Sequence, residues 1–200
     1  AAPDLYGVAR RNSAGVAFSD AALLESFDAA LAPWRRHEWI IDAEGRASHS
    51  PANPAELVGR IREADEAEIA AAMQRARAAQ PGWAARGFVA RAAVLEAAAD
   101  SFEQHGAELM ALCIREAGKT APDAVAELRE AVDFLRYYAA EARGLPDKVA
   151  PRGVFACISP WNFPLAIFSG QVAAALVAGN AVLAKPAPQT PLIAARAVAL

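Results

Sequence analysis

Apolar residues recur at helical spacing through the middle of the chain and collect into strand-length runs on either side. Behind Asp65, the residues Ile69, Ala72, Met73, Ala76 and Ala79 share one face, and Pro81-Gly82 is expected to end that helix. Phe88, Ala92, Leu95, Ala99 and Phe102 form a second stripe, closed by His105-Gly106. Leu109, Leu112 and Cys113 form a third, closed by Gly118. A fourth helix, from Pro122 to Ala142, carries Val125, Leu128, Val132 and Leu135 and stops at Arg143-Gly144-Leu145-Pro146. Met73 and the aromatics read as core. Further upstream, Leu23, Leu24, Phe27 and Leu31 give one face to a helix over Asp20–Leu31, capped by Ser19 or Asp20. Trp39-Ile40-Ile41 and Leu57 to Ile61 read as short strands of a hairpin or meander, parted by a turn at Pro51-Ala52-Asn53-Pro54.

The pattern changes after Pro151. Val154 to Ile158 is an apolar run of strand length that Ser159-Pro160 breaks, and a loop, Trp161-Asn162-Phe163, follows. Pro164 suits a first helical position, Leu165 to Ala178 read as a buried helix, and Gly179-Asn180 ends it. Ala181 to Ala184 then reads as a second buried strand closed by Lys185-Pro186, completing a βαβ unit. Leu192 to Leu200 is helix-like again. The charge-free run from Phe163 to Ala184 could be taken for a membrane helix, but Pro164, Ser169-Gly170-Gln171 and Gly179-Asn180 divide it into two shorter elements. Helices ahead of a βαβ unit predict an α/β fold in which helices cover a parallel sheet.

In such a fold Asn162 and Lys185 fall just past the strand carboxyl ends, where open α/β sheets bind ligands. The Asn162 amide could donate to an oxygen that becomes negative during acyl chemistry, and Lys185 could hold ribose hydroxyls or a phosphate. Each residue taken singly also fits a plainer role, Asn162 in an Asx turn and Lys185 at a solvated strand end. Glu127 stands off its helix's apolar stripe and by local pattern reads as a solvated carboxylate near Arg129.

Composition narrows the classes of function. A net charge of −3 with Lys and Arg scattered among acids offers no basic track, so nucleic acid is not an expected partner. The histidines and the two cysteines, Cys113 and Cys157, show neither metal-ligand spacing nor a disulfide framework, so no metal is expected and a reducing, cytoplasmic setting is. Both cysteines sit in apolar runs and read as buried small residues. With no initiator Met, no secretory signal and an uncapped helix-like end, the chain is expected to be cut from a longer one at both ends.

ISPWNFP, followed by AALVAGNAVLAKPAPQTP at the right distance, resembles the nucleotide-binding half of the aldehyde dehydrogenase superfamily. GVFACISPWNFPLAIFSGQ, REAGKT with AELREAVDFLRYYA, and DLYGVARRNSAGVAF resemble its glutamate-semialdehyde branch, the dehydrogenase part of the bifunctional proline utilization A enzymes, from about Asp4 onward. The resemblance implies an arm over residues 1–50, leading from an upstream flavin-dependent proline dehydrogenase, and the N-terminal part of a Rossmann-like NAD-binding domain over residues 51–200. It implies NAD-dependent oxidation of glutamate semialdehyde to glutamate by a homo-oligomer, with FAD confined to the upstream domain. Asn162 would donate to the oxyanion, and Ile158, Ser159, Pro160, Trp161, Asn162, Lys185, Ala187 and Pro188 would border the cofactor. Phe163 would flank the aldehyde channel and Glu127 would lie near the substrate's amino group, with the nucleophilic cysteine and the general base beyond Leu200.

Two departures stand out. The family pattern places an acid three residues after the lysine, where this chain has Pro188, which opens the choice between NAD and NADP. The segment Gly144 to Arg152 is short of the branch's oligomerisation flap. These departures also admit a silent nucleotide-binding or assembly module of the same fold.

Overall fold

The structure, a computed structural model, describes residues 5–146 and 149–200. Asp4, where the resemblance begins, and Asp147 and Lys148 of the short segment lie outside the described residues. The first helix, α1 (Ala21–Leu31), is capped by the Asp20 carboxylate, which accepts from the N–H groups of Ala22 and Leu23. Its expected apolar face is corrected: Phe27 is buried, packed edge-on against Phe18, while Leu23 and Leu24 face outward because no element covers them.

A small sheet follows, formed by β1 (Trp39–Ile40), β2 (Arg46–Ser50) and β3 (Asn53–Ile61) in the order β1-β3-β2. β1 runs parallel to β3 and β2 antiparallel to it. β2 was not legible, because Arg-Ala-Ser-His-Ser has too little apolar content to signal a strand; its pairing with β3 makes it one. The tight turn is Pro51-Ala52, and Asn53-Pro54, expected in the turn, begins β3. The division expected at residue 50 therefore falls at the tip of this hairpin.

Helix α2 (Glu66–Ala84) opens on a capping box between Asp65 and Glu68. It runs through Pro81 rather than ending there, its last turns fastened by Gln80 Nε2 donating to the Gly179 carbonyl (2.9 Å) and Trp83 Nε1 donating to that of Leu176 (2.7 Å). Its face is not core either: Ile69 is exposed and Met73 half-buried, since α2 lies over the rim of a two-stranded sheet.

The other stripes behave as expected. Helices α3 (Gly87–Gln104), α4 (Gly106–Ala117) and α5 (Ala121–Arg143) bury Phe88, Ala92, Leu95, Ala99 and Phe102, then Leu109, Leu112 and Cys113, then Val125, Leu128, Val132 and Leu135. Gly118 ends α4 at φ 69°, a left-handed value that favours glycine. The N-terminal arm is strapped onto this bundle. Arg136, nearly buried, donates to Asp100, Glu103 and the Asn12 carbonyl, while the Ala14 N–H donates to Glu103 and Ser13 bonds Asp133.

The βαβ unit comprises β4 (Val154–Ile158), α6 (Ala166–Val177) and β5 (Ala181–Lys185), the strands parallel and in register from Val154↔Ala181 to Ile158↔Lys185. Asn180 Oδ1 accepts from the N–H groups of Arg152 and Gly153, fixing the end of α6 to the start of β4. Two expectations are corrected. Pro164 lies in a turn, with the helix starting at Ala166, and neither strand is buried throughout: Cys157 and Ala181 are buried, while Phe155 (43%), Ile158 (64%) and Ala184 are exposed. α7 (Pro191–Ala199) closes the fold, its Arg196 paired bidentately with Glu108 of α4. Among the described residues no helix is long and apolar enough to cross a membrane.

Candidate functional site

Because Ile158 pairs with Lys185, the loops that leave β4 and β5 start side by side at the same end of the sheet. Ser159, buried, ties them together: its N–H donates to the Lys185 carbonyl at 3.1 Å. Beyond it, Trp161, Asn162 and Phe163 are exposed, as is the apolar surface of Ile158, and Pro160 is half-buried. On the second loop Lys185 is exposed with Nζ bonded to the Pro186 carbonyl, Ala187 is buried and Pro188 is exposed. The structure therefore brings Ile158 to Phe163 and Lys185 to Pro188 together on one rim.

Glu127 lies elsewhere than its local pattern suggests. It is 1% exposed, behind the first loop rather than in solvent near Arg129. Its Oε2 accepts from the N–H groups of Leu165 (3.2 Å) and Ala166 (2.9 Å) at the start of α6, and its Oε1 makes an ion-pair contact with Lys119 Nζ at 3.0 Å. A carboxylate there satisfies N–H groups that have no partner within the helix and lies at the positive end of the helix dipole. The Lys119 ammonium also stands 4.3 Å from the Phe163 ring centroid, a cation–π contact. For Glu127 to meet a substrate ammonium, Lys119 would have to give up its place.

The second loop is held in the same way. Glu116, buried at the end of α4, accepts from the Leu192 N–H with one oxygen and the Ile193 N–H with the other, both at 2.9 Å, and from Ser48 Oγ. Burial raises its pKa to about 7 against the opposing pull of these donors. Burial likewise pushes up the thiols of Cys113 and Cys157, which are free and buried.

Lys119, Glu116 and Arg46 were missed as site-supporting residues. The first two lie inside REAGKT, whose acid and base bracket a helix-ending glycine; that spacing was the available signal. For Arg46 there was none. A groove of about 350 Å³ between α2 and β5, lined by Ala76, Gln80, Trp83, Leu176 and Val182, includes neither Asn162 nor Lys185. Among the described residues no group of three or more His, Cys, Asp or Glu could hold a metal ion.

A profile of the aldehyde dehydrogenase family matches residues 39–200. The bifunctional protein PutA of Klebsiella aerogenes is 48% identical over 98% of this chain, which spans 16% of that relative. The 1-pyrroline-5-carboxylate dehydrogenase of Anoxybacillus flavithermus is 39% identical over 78% of the chain and 33% of its own length. Among solved structures, a mutant of Bradyrhizobium japonicum proline utilization A superposes with a TM-score of 0.83 at 42% identity, over 98% of this chain and 19% of that one. A 1-pyrroline-5-carboxylate dehydrogenase from Thermus with bound NAD superposes at 0.84 and 29% identity, over 94% of this chain and 42% of that one.

Proposed function

The chain belongs to the aldehyde dehydrogenase family, and on that premise we propose that it forms the first part of the dinucleotide-binding domain of an enzyme oxidising L-glutamate γ-semialdehyde, derived from 1-pyrroline-5-carboxylate, to L-glutamate. The segment belongs to a longer, cytoplasmic, homo-oligomeric polypeptide with a flavin-dependent proline dehydrogenase upstream, a reading supported by its likeness to PutA over nearly its whole length. The observation that carries the site is the pairing of Ile158 with Lys185, which aligns the Asn162 loop and the lysine on one rim.

The donor set suits a nicotinamide dinucleotide: an exposed cation at a strand end, exposed apolar surface at Ile158 and Trp161, and loop carbonyls beside the lysine. A nicotinamide held there would supply the hydride acceptor. Ile158, Ser159, Pro160, Trp161 and Asn162 would border it, and Lys185 with the Ala187 and Pro188 backbone would hold the adenosine ribose.

Asn162 donates its amide N–H to the aldehyde oxygen as negative charge develops there. Phe163 flanks the aldehyde's path, and Glu127 fixes the start of α6 and through it the turn that carries Asn162. Addition to the aldehyde needs a thiolate, which Cys113 and Cys157 do not provide, since burial keeps both protonated. The nucleophile and the general base are therefore proposed to come from elsewhere in the longer polypeptide, and the segment by itself to be silent.

The test is nicotinamide reduction by the full-length protein with 1-pyrroline-5-carboxylate, wild type beside Asn162→Ala. Loss of an oxyanion donor should lower kcat by about 10²–10³. An unchanged kcat removes Asn162 from catalysis, and no reduction by folded wild type with either NAD or NADP leaves a nucleotide-binding or assembly module.

A further inference from the structure

Arg46, the first residue of β2, reaches across to the loop after β5: its Nη2 donates to the Pro188 carbonyl at 2.7 Å. Pro188 stands three residues after Lys185 and has no side-chain donor or charge. Two cationic side chains thus serve this short loop, Lys185 from its start and Arg46 from the neighbouring sheet, and Lys185 to Gln189 contains no carboxylate. Among the described residues Arg46 forms one salt bridge, to Glu63, with Nε 3.5 Å from its carboxylate and both side chains well exposed, 47% and 71%, and it also lies within electrostatic reach of the buried Glu116. An exposed pair of that kind contributes little, so its guanidinium can exchange Glu63 for a stronger partner.

We propose that Arg46 is a specificity residue that turns this site toward the dinucleotide bearing a 2′-phosphate on its adenosine ribose. This rests on the reading of the rim as a dinucleotide site. A carboxylate following the lysine would bond the ribose hydroxyls and repel a phosphate; with proline there, nothing on the loop repels it. A guanidinium offers a planar fork that matches phosphate oxygens, and its bond to Pro188 already directs it at the loop. Lys185 supplies a second positive charge for the same dianion.

The experiment is calorimetric titration of the full-length protein with 5′-AMP and with adenosine 2′,5′-bisphosphate, which needs no turnover. Wild type should bind the bisphosphate about tenfold or more tightly than 5′-AMP, the gain expected of a charge-assisted pair. Arg46→Ala should erase that preference while leaving 5′-AMP affinity within about twofold. Pro188→Glu should reverse it. If Arg46→Ala weakens both ligands equally, Arg46 only pins the loop and the proposal falls. If wild type binds 5′-AMP at least as tightly as the bisphosphate, the proposal falls and the dinucleotide reading stands. If neither binds, both fall.

Discussion

Lys119 Nζ and Glu127 Oε1 lie 3.0 Å apart in the interior, directly behind the loop that presents Asn162. The carboxylate's other oxygen holds the first N–H groups of α6, and the ammonium touches the Phe163 ring, so one buried pair braces both ends of the segment Phe163–Ala166. Asn162 is exposed, and this brace behind it supplies the stiffness that the donor role proposed for it needs.

Glu127→Gln should therefore damage both stability and activity. It removes the charge that pairs with Lys119 and leaves a largely buried ammonium with only the more distant Glu130 as an acidic counterpart, which costs up to about 3–5 kcal/mol. Urea unfolding should show that loss, and, if Asn162 acts in the transition state as proposed, kcat should fall more than KM rises. A variant with full stability and unchanged kcat would show that the brace has no role.

The Glu116 clamp on α7 should make stability depend on pH. With its pKa raised to about 7 from 4.5, this carboxyl keeps its proton in the folded state over a window in which the unfolded chain has lost it. Its contribution is thus present below about pH 4.5 and is lost as pH rises through about 7, by up to about 3 kcal/mol. Glu116→Gln abolishes this titration. Its unfolding free energy relative to wild type should rise from pH 4.5 to pH 7.5, as followed by thermal unfolding at each pH; a constant difference would place the Glu116 pKa near its ordinary value.

Arg136→Ala should loosen the N-terminal arm. The guanidinium is nearly buried and joins Asp100 and Glu103 of α3 to the Asn12 carbonyl, while Glu103 also accepts from Ala14. These partners hold the Glu103 carboxyl down at about 2, burial opposing them. Loss of about 3 kcal/mol is expected, together with faster proteolytic cleavage between residues 5 and 20. Unchanged cleavage would mean that the contacts left in place, Ser13 and Arg10 to Asp133 and Arg11 and Ala14 to Glu103, fix the arm without Arg136.

Gly170→Ala tests the contact between α5 and α6. A Cβ at this position would come within 2.8 Å of the Phe134 ring, so the helices must part or the ring must turn, at about 1–3 kcal/mol. Denaturant unfolding reads it. A neutral result would show that Phe134 swings aside freely.

Local periodicity reported well wherever an element's neighbours lie on one continuous face. The stripes of α3, α4 and α5 could be read because each repeats toward a single core, and β4, α6 and β5 because apolar runs of distinct lengths are parted by Ser-Pro and Gly-Asn. Helix α2 shows the limit: its small apolar residues have the right spacing, but periodicity does not say how much of a partner layer covers them. Motif spacing likewise put Asn162 and Lys185 on one rim, since the parallel strands that carry them have a fixed register.

What the sequence by itself determined was the α/β class, the βαβ unit and the loops on which Asn162, Lys185 and Pro188 stand. Only the tertiary structure decided which groups hold those loops in place. Glu116 meets Leu192 and Ile193, Glu127 meets Ala166, and Arg46 meets Pro188 across gaps of 76, 77, 39 and 142 residues, respectively. A carboxylate or guanidinium that looks solvated within its own helix or strand becomes a clamp only when chain closure brings unpaired N–H or carbonyl groups of another element within reach, and that closure is a property of the packed whole.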